Sequence, residues 1–339
     1  MRISYTTLFS VMKERLVKYG VCEEIAEACA RNLADTSLCG VYSHGLNRFP
    51  RIITLIQKGV IKPNNKPSPV RTAGAFEVWD GNMGMGNTNA AFAMERAITL
   101  AKQNGIGAVA LRHTNHWQRG GAFGIQAANS GCAGICWTTT MPNMPAWGGA
   151  DRRIGNNPLV FCVPYDEDDG VSQPYVMADS AMAQFSYGAL ESAQLAGKQL
   201  PVVGGYDEHG ALTTDPAAIA KTWRVLPMGF WKGSALSVML DLFAVLMSDG
   251  KPVCEIGKHG NTPEDEYDLN QVFIAINIQW NEHGHELVRQ IVYDLKASIP
   301  IENGEALRYP GEREHKIRAE NLKEGIPVNE NIWNTVLAL

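Results

Sequence analysis

Two short stretches of the 339-residue chain concentrate side chains that can move a proton or hold an anion. The first, Tyr42-Ser43-His44-Gly45-Leu46-Asn47-Arg48, sets hydroxyls, an imidazole and a guanidinium side by side just past a helix stop at Gly40. Histidine is the side chain best suited to exchanging a proton near neutral pH, and arginine to holding a planar carboxylate through two parallel hydrogen bonds. His44 and Arg48 stand at i and i+4, so a helical backbone would put them on one face. Taken alone, the pair also reads as a surface or capping contact. The second stretch, His113-Thr114-Asn115-His116-Trp117-Gln118-Arg119-Gly120-Gly121, follows a β-rich run from Gly107 to Leu111. Chemistry in α/β proteins gathers where loops leave strand ends. His113 and His116 are two candidate metal ligands, but no third His or Cys stands at a recognisable spacing. A substrate-contacting loop and plain polar packing are the other readings, and the residues by themselves leave all three open.

Weaker signals lie at Gly155-Asn156-Asn157-Pro158, at Asp179 inside a run of small and apolar residues, and at Trp231-Lys232-Gly233 ahead of an apolar segment. An acid in such a run orients an imidazole or merely caps a helix. Gly84-Met85-Gly86 invites a dinucleotide-binding reading, but Asn89 stands where the third glycine belongs and no acid follows about 20 residues later. It reads as a turn into a helix instead.

The elements that must position these residues follow from periodicity. Leu8, Val11, Met12, Leu16 and Tyr19 share a helix face closed by Gly20, with Thr6 or Thr7 as the cap. Ile25, Cys29, Leu33 and Thr36 repeat the pattern, and Ile52, Ile53, Leu55 and Ile56 give a third helix before a Pro-rich connection at 63–69. From about residue 70, short β-rich runs at 76–79, 107–111, 134–138 and 159–163 alternate with helical patterns such as 90–103, which predicts an α/β sheet covered by helices. The acidic stretch 166–170 and the glycine-rich 204–210 read as loops, 234–247 as a buried helix, 273–278 as a strand and 286–298 as an amphipathic helix.

Composition narrows the classes of function. Apolar residues at 45%, charged residues at 19% and a net charge of -5 describe an ordinary globular chain and argue against nucleic acid or an anionic membrane as the main partner. The seven cysteines show no C-x-x-C pair and read as reduced, buried small hydrophobes. Met1 to Lys18 lacks the pattern of a secretory signal. The apolar stretch 235–247 is broken by Ser237 and Asp241 and falls short of the roughly 20 residues of a spanning helix. A soluble, cytoplasmic protein is the expectation.

In chain order, Ser43-His44-Gly45 with Arg48, Asn115-His116, Gly155-x-Asn157-Pro158, Asp179, Trp231-Lys232-Gly233 and Pro310-Gly311-Glu312 closely resemble the type 2 malate/L-lactate dehydrogenase family over nearly the whole chain. Gly40-Val41-Tyr42-Ser43-His44-Gly45, Asn47-Arg48-Phe49-Pro50-Arg51, Asn115-His116-Trp117 with Arg119-Gly120-Gly121, and Leu226-Pro227-Met228-Gly229 look like the branch that reduces 2,3-diketo-L-gulonate. The resemblance implies an α/β protein with a family-specific, non-Rossmann NAD(P)-binding fold and a mixed sheet, plus a helical domain. The expected division is a largely helical domain of residues 1–70 with about 250–339, and a central α/β domain, about 71–249, that binds cofactor and substrate. It further implies an NAD(P)-dependent oxidoreductase acting on CH–OH groups, a homodimer with its active site near the subunit boundary, and no metal.

By the same resemblance His44 is the proton donor, Arg48 and His116 hold the substrate carboxylate and neighbouring oxygens, Ser43 lies beside them, and Asp179 supports His44. Asn115, Gln118 and Arg119 are the partners expected for hydroxyls of a 2-keto sugar acid. The cofactor, NADH with NADPH as the alternative, is expected at Tyr175, Val176, Met177, Ala178, Asp179, Ser180 and Ala181, at Trp231 and Lys232, and at Gly311 and Glu312. The sequence departs from the family at Ser180-Ala181-Met182-Ala183, which lacks hydroxyls, at Asn156 in place of a threonine, and in the length of the acidic loop. The expected reaction delivers a hydride to C2 and a proton from protonated His44 to the developing alkoxide, with pyruvate and oxaloacetate as poor substrates. Alternatives are a malate, lactate or ureidoglycolate dehydrogenase or a cyclic imino acid reductase of the same family, a non-catalytic sugar-acid-binding protein, and a metal-dependent hydrolase or lyase built on His113 and His116.

Overall fold

A computed structural model of the chain describes residues 1–165, 175–257, 266–301, 304 and 306–339, so the acidic loop expected at 166–170 lies outside the described residues. Strand β1 (Arg2–Ile3) leads into helices α1 (Tyr5–Lys18), α2 (Glu23–Leu38) and α3 (Phe49–Gln57). Ser4, not Thr6 or Thr7, caps α1, its hydroxyl accepting from Thr7 N–H at 3.1 Å. The helix begins at Tyr5, which leaves both threonines inside its first turn. The expected inward residues Leu8, Met12, Leu16, Cys29, Leu33 and Ile53 are all buried in one cluster.

The middle of the chain supplies β2 (Ser68–Ala73), β3 (Phe76–Asp80), α4 (Gly86–Asn104), β4 (Ile106–Thr114), α5 (Gly121–Asn129), β5 (Cys132–Thr138), the short pair β6 (Met144–Pro145) and β7 (Arg152–Ile154), then β8 (Leu159–Pro164) and β9 (Tyr175–Ser180). There follow α6 (Tyr187–Leu195), a small hairpin of β10 (Gly205–Tyr206) and β11 (Leu212–Thr213), α7 (Pro216–Thr222) and α8 (Trp231–Ser248). The chain ends with β12 (Leu269–Asn277), α9 (Glu282–Ala297), α10 (Glu312–Glu324), β13 (Ile326–Pro327) and α11 (Glu330–Ala338).

Seven strands form one mixed sheet in the order β2-β3-β4-β12-β5-β8-β9, with β3 and β4 parallel and the other neighbours antiparallel. Alternate side chains serve opposite faces, as strand geometry demands. Val109, Leu111, Phe273 and Ala275 pack under α4 and α5, while Ala110, Trp137 and Val272 meet Ala244 of α8. The division expected near residue 250 does not separate helices from sheet, because β12, from the last quarter of the chain, is the central strand. The helical unit draws on both chain ends: β1 pairs with β13, and Ile326, Trp333 and Val336 join the core of α1–α3.

Helix α8 corrects the expectation of a buried helix. Only its small residues Gly233, Ser234, Ser237, Ala244 and Ser248 are buried, while Leu242, Phe243 and Leu246 face outward, Leu246 at 78% exposure. A segment apolar on every side carries no periodicity to say which face turns inward. Close approach to the sheet selected the small side chains. Among the described residues α8 is the one helix long and apolar enough to cross a membrane, at 18 residues with Asp241 inside it.

Candidate active site

The segment after α2 folds as two 3₁₀ turns, Tyr42–His44 and Leu46–Arg48, anchored where Leu46 N–H donates to Ser37 Oγ at 2.9 Å. His44 and Arg48 therefore do not share a continuous helix, yet they converge. The half-buried His44 ring stacks on His116 with centroids 5.8 Å apart and planes 27° from parallel. Ser43 Oγ lies 2.9 Å from His44 Nδ1. Burial first, then the positive charges of Arg48 and Arg119, pull the His44 imidazole down to about 3. At neutral pH His44 is thus neutral, not in the protonated form expected for a ready acid, since a cation there would be both desolvated and repelled.

His116 reaches the site from the loop after β4. Gly86, the first residue of α4, makes room for it: a Cβ at Gly86 would stand 2.2 Å from the Asn115 carbonyl oxygen and 2.3 Å from that of His116. The Gly84-Met85-Gly86 run is thus a packing feature that brings a helix start against the His116 loop. His116 Nδ1 accepts from Gln118 N–H at 3.0 Å, so the neutral ring carries its proton on Nε2. That nitrogen lies 4.0 Å from Glu266 Oε2. Burial, followed by the charges of Arg48, His44 and Arg51, holds the His116 imidazole well below the ordinary histidine range.

Glu266 was invisible in the sequence. Its Oε2 takes a hydrogen bond from Arg48 Nη2 at 3.0 Å and lies 3.6 Å from Arg51 Nη2. It ends the run Pro263-Glu264-Asp265-Glu266, whose composition reads as a solvated loop, although Glu266 itself is buried. Arg51, three residues beyond Arg48, joins the cluster through the same carboxylate. Burial pushes the Arg48 guanidinium down from its usual value, and Glu266 pulls it back.

Around His116, three carboxamides have committed their nitrogens. Asn115 donates to the carbonyls of Met83 and Gly84 at 2.9 and 2.8 Å, Gln118 Nε2 to His116 O at 3.0 Å, and Gln271 Nε2 of β12 to Asn115 O at 2.9 Å. Their oxygens Asn115 Oδ1, Gln118 Oε1 and Gln271 Oε1 are buried and take no hydrogen bond from any described residue. A buried acceptor left without any donor costs about 1–3 kcal/mol. A cavity of about 20 Å³, room for roughly one water, is lined by Arg48, Arg51, Asn115, His116 and Gln118 together with the apolar side chains of α3.

Other expected site residues take partners outside that cluster, although the Arg119 charge still acts on His44. Arg119, expected at substrate hydroxyls, is 3% exposed and ion-paired with Glu314 of α10, whose Oε2 also accepts from Tyr175 OH at 3.2 Å. Asp179 Oδ2 accepts from Gly121 N–H at 2.8 Å, the first residue of α5, and that bond, rather than one to His44, is its contact here. Burial raises the Asp179 carboxyl, against the opposing pull of Arg119. His113 points away from His116: its Nδ1 lies 2.7 Å from Asp80 Oδ2, so the two histidines do not form a joint metal site. Asn157 is interior, donating to Ser237 O at 2.9 Å and accepting from Thr140 N–H at 3.0 Å, and ties α8 to the loop after β5.

A model described as malate/L-lactate dehydrogenase matches residues 3–337. The chain belongs to the malate/L-lactate dehydrogenase family. The 2,3-diketo-L-gulonate reductase of Shigella boydii serotype 4 is 44% identical over 343 residues, with all of both chains covered. The fold is shared with the malate dehydrogenase of Entamoeba histolytica, at a TM-score of 0.90 and 27% identity over 99% of this chain and 96% of that one. It is shared equally with the sulfolactate dehydrogenase of Methanocaldococcus jannaschii, at a TM-score of 0.88 and 29% identity over 99% and 95%. This dehydrogenase is thus a pyridine-nucleotide-dependent oxidoreductase acting on CH–OH groups.

Three segments expected at the cofactor meet at β9, the edge strand of the dehydrogenase sheet. Met177 N–H donates to Pro310 O at 3.0 Å, where Gly311 turns the chain at φ 95°, and Met228 N–H donates to Met182 O at 2.8 Å, which brings the start of α8 alongside. Ala178 and Ser180 are exposed there, as is Asp179 apart from its carboxyl, which turns inward onto Gly121 N–H, Ala181 is half-buried, and Lys232 and Trp231, the latter 62% exposed, stand open at the head of α8. An open strand edge beside an accessible aromatic ring and an ammonium fits an anionic, ring-bearing nucleotide. Tyr175 and Met177 are interior and support the strand from behind, with Val176 half-buried between them. Glu312 is buried between Lys296 and Lys316 at 3.2 and 3.0 Å, which makes it a brace for the turn at Gly311.

Proposed function

We propose that this dehydrogenase reduces 2,3-diketo-L-gulonate at C2 to 3-keto-L-gulonate, with NADH as the reductant, in the cytoplasm and as a homodimer. The observation that carries the reading is the stacked His44–His116 pair set beside Arg48, an acid–base group next to a carboxylate anchor. Full-length similarity at 44% identity to a reductase of that name supports the substrate.

Reduction of a 2-keto acid needs a hydride at C2, a proton on the resulting alkoxide and a fixed carboxylate. A nicotinamide cofactor held by the β9 edge and the head of α8 would supply the hydride. Arg48 holds the carboxylate, His116 Nε2–H faces an adjacent oxygen, and His44 exchanges the proton, with Ser43 at its Nδ1. A neutral His44 is the ready base for the reverse oxidation. For reduction it must first gain a proton, and a substrate carboxylate on Arg48 favours this by cancelling the positive charge that, after burial, weighs most against the imidazolium. The orphaned oxygens of Asn115, Gln118 and Gln271 suit the hydroxyls of a sugar acid.

The homodimer rests on the outward row Leu236, Met239, Leu242, Phe243 and Leu246 of α8, an apolar strip too continuous for a solvated surface. Light scattering on the purified chain should return twice the mass of 37.1 kDa. The reaction is tested by absorbance at the reduced-nicotinamide band, with NADH or NADPH and a panel of 2-keto and cyclic imino acids. Oxidation of NADH with the diketo sugar acid well ahead of pyruvate and oxaloacetate is expected; silence across the panel would overturn the reading.

A further inference from the structure

We infer that Glu266 and His116 form a hydroxyl-recognition subsite, in which an O–H group of the substrate, on a carbon beyond the reacting carbonyl, accepts from His116 Nε2–H and donates to Glu266 Oε2. This rests on the reduction proposed above and goes one step beyond it, giving Glu266 a part in specificity. Gln118 N–H occupies His116 Nδ1 at 3.0 Å, so the ring proton is on Nε2. That nitrogen stands 4.0 Å from Glu266 Oε2, beyond hydrogen-bonding reach. Oε2 takes one hydrogen bond, from Arg48 Nη2 at 3.0 Å, while Arg51 Nη2 at 3.6 Å is too far to make another, so the oxygen keeps room for a second donor. A donor and an acceptor thus face each other across a gap about one oxygen wide. Both side chains keep some accessible area, 12% for His116 and 10% for Glu266, so the gap can be reached from outside.

An oxygen about 2.8 Å from each atom bridges that separation. A hydroxyl carries donor and acceptor on the same atom and satisfies both sides. A keto oxygen accepts from Nε2–H and offers Glu266 nothing, and a methyl group serves neither. Arg48 fixes where the hydroxyl must lie: the guanidinium that holds the substrate carboxylate also donates to the Glu266 oxygen, so the subsite is a short reach from C1. The bridge requires His116 to stay neutral, because an imidazolium would be drawn onto the carboxylate and close the gap. Burial and the charges of Arg48, His44 and Arg51 all oppose that cation. A proton gained by His44 during reduction strengthens the effect, since its ring stacks on His116 at 5.8 Å. With a substrate that lacks the hydroxyl, a water takes its place and loses some freedom, so the discrimination is moderate.

The test compares kcat/KM within two substrate pairs that differ by a single hydroxyl, 3-hydroxypyruvate against pyruvate and 4-hydroxy-2-oxobutyrate against 2-oxobutyrate. The wild-type protein should favour the hydroxylated member of at least one pair by about tenfold. Glu266→Gln keeps an acceptor without the charge, which makes the bond about half as strong, so the preference should fall to about threefold. Glu266→Asp draws the carboxylate back by one methylene and should abolish it. A role confined to holding Arg48 would lower both members of a pair alike and leave their ratio unchanged. An active wild-type protein at parity in both pairs, or a ratio unmoved in an active Glu266 variant, would overturn the subsite and leave the reduction standing; the wild-type ratios decide the matter even if neither variant folds. A wild-type protein inactive on every 2-keto acid would overturn the proposed reduction and the subsite with it.

Discussion

Two arginine–glutamate pairs, Arg48–Glu266 and Arg119–Glu314, share a chemistry, and their surroundings give them opposite tasks. Arg48 and Glu266 sit among neutral imidazoles, a second guanidinium and carboxamide oxygens without donors. Arg119 and Glu314 sit among Tyr175, Asp179 and Cys39, with the carboxylate also accepting from Tyr175 and helix α10 tied to strand β9. Residue types are identical in the two places. What differs is three carboxamide oxygens without donors beside the first pair, against a carboxylate shared by a guanidinium and a phenol in the second, where Arg119 Nε alone lacks an acceptor, and unfinished groups are the ones a ligand can complete.

The largest effect should come from breaking the open side. His44→Asn should lower kcat for 2-keto acid reduction by about 10²- to 10⁴-fold, the usual worth of a positioned acid, with NADH affinity by fluorescence titration nearly unchanged. Full activity in that variant would remove His44 from the chemistry. The closed side should fail differently. Glu314→Gln leaves the Arg119 charge buried without its counter-ion, so chemical denaturation should show a loss of about 3–5 kcal/mol, with kcat reduced far less than by His44→Asn. Comparable losses of kcat in both variants would erase the contrast between the two pairs.

The smallest expected effect is on stability against pH. His44 and His116 have lowered values in the folded state, so the unfolded chain binds protons that the native chain refuses. Their contribution is therefore intact at neutral pH and is lost as pH falls through the ordinary histidine range near 6.5. Thermal melts from about pH 7 to about pH 5 should show a declining midpoint, with a shallower decline in His44→Asn. Equal slopes would mean that His44 is accessible to protons in the folded protein.

The same contrast marks how much could be read from the sequence. Repeating patterns exposed the N-terminal helices and most sheet strands, since Leu8, Met12 and Leu16 or Val109 and Leu111 each repeat at the period of their element. The site residues His44, Arg48 and His116 were named because imidazole and guanidinium groups crowd two short phrases. Glu266 was not, because an acid at the end of an acidic run looks solvated until the fold carries it between two arginines distant in the chain. The pairing of Arg119 was hidden for a related reason: a charged side chain in a site loop looks available until Glu314, from near the C-terminus, meets it. Helix α8 defeated the pattern because its direction depends on what covers it, and its own residues carry no record of that.

Strand β12 lies between β4 and β5, pairing Val272 with Ala110 on one side and with Trp137 on the other. During synthesis, both neighbours leave the ribosome long before their common partner exists. Until then each presents an open edge of backbone donors and acceptors, which is a template for pairing with another chain. Completion of the sheet thus waits on contacts between distant parts of the chain, an arrangement that slows folding. A nascent chain halted before Leu269 would leave a split sheet with two sticky rims, which makes the translation of the last quarter the interval in which a holding chaperone matters most.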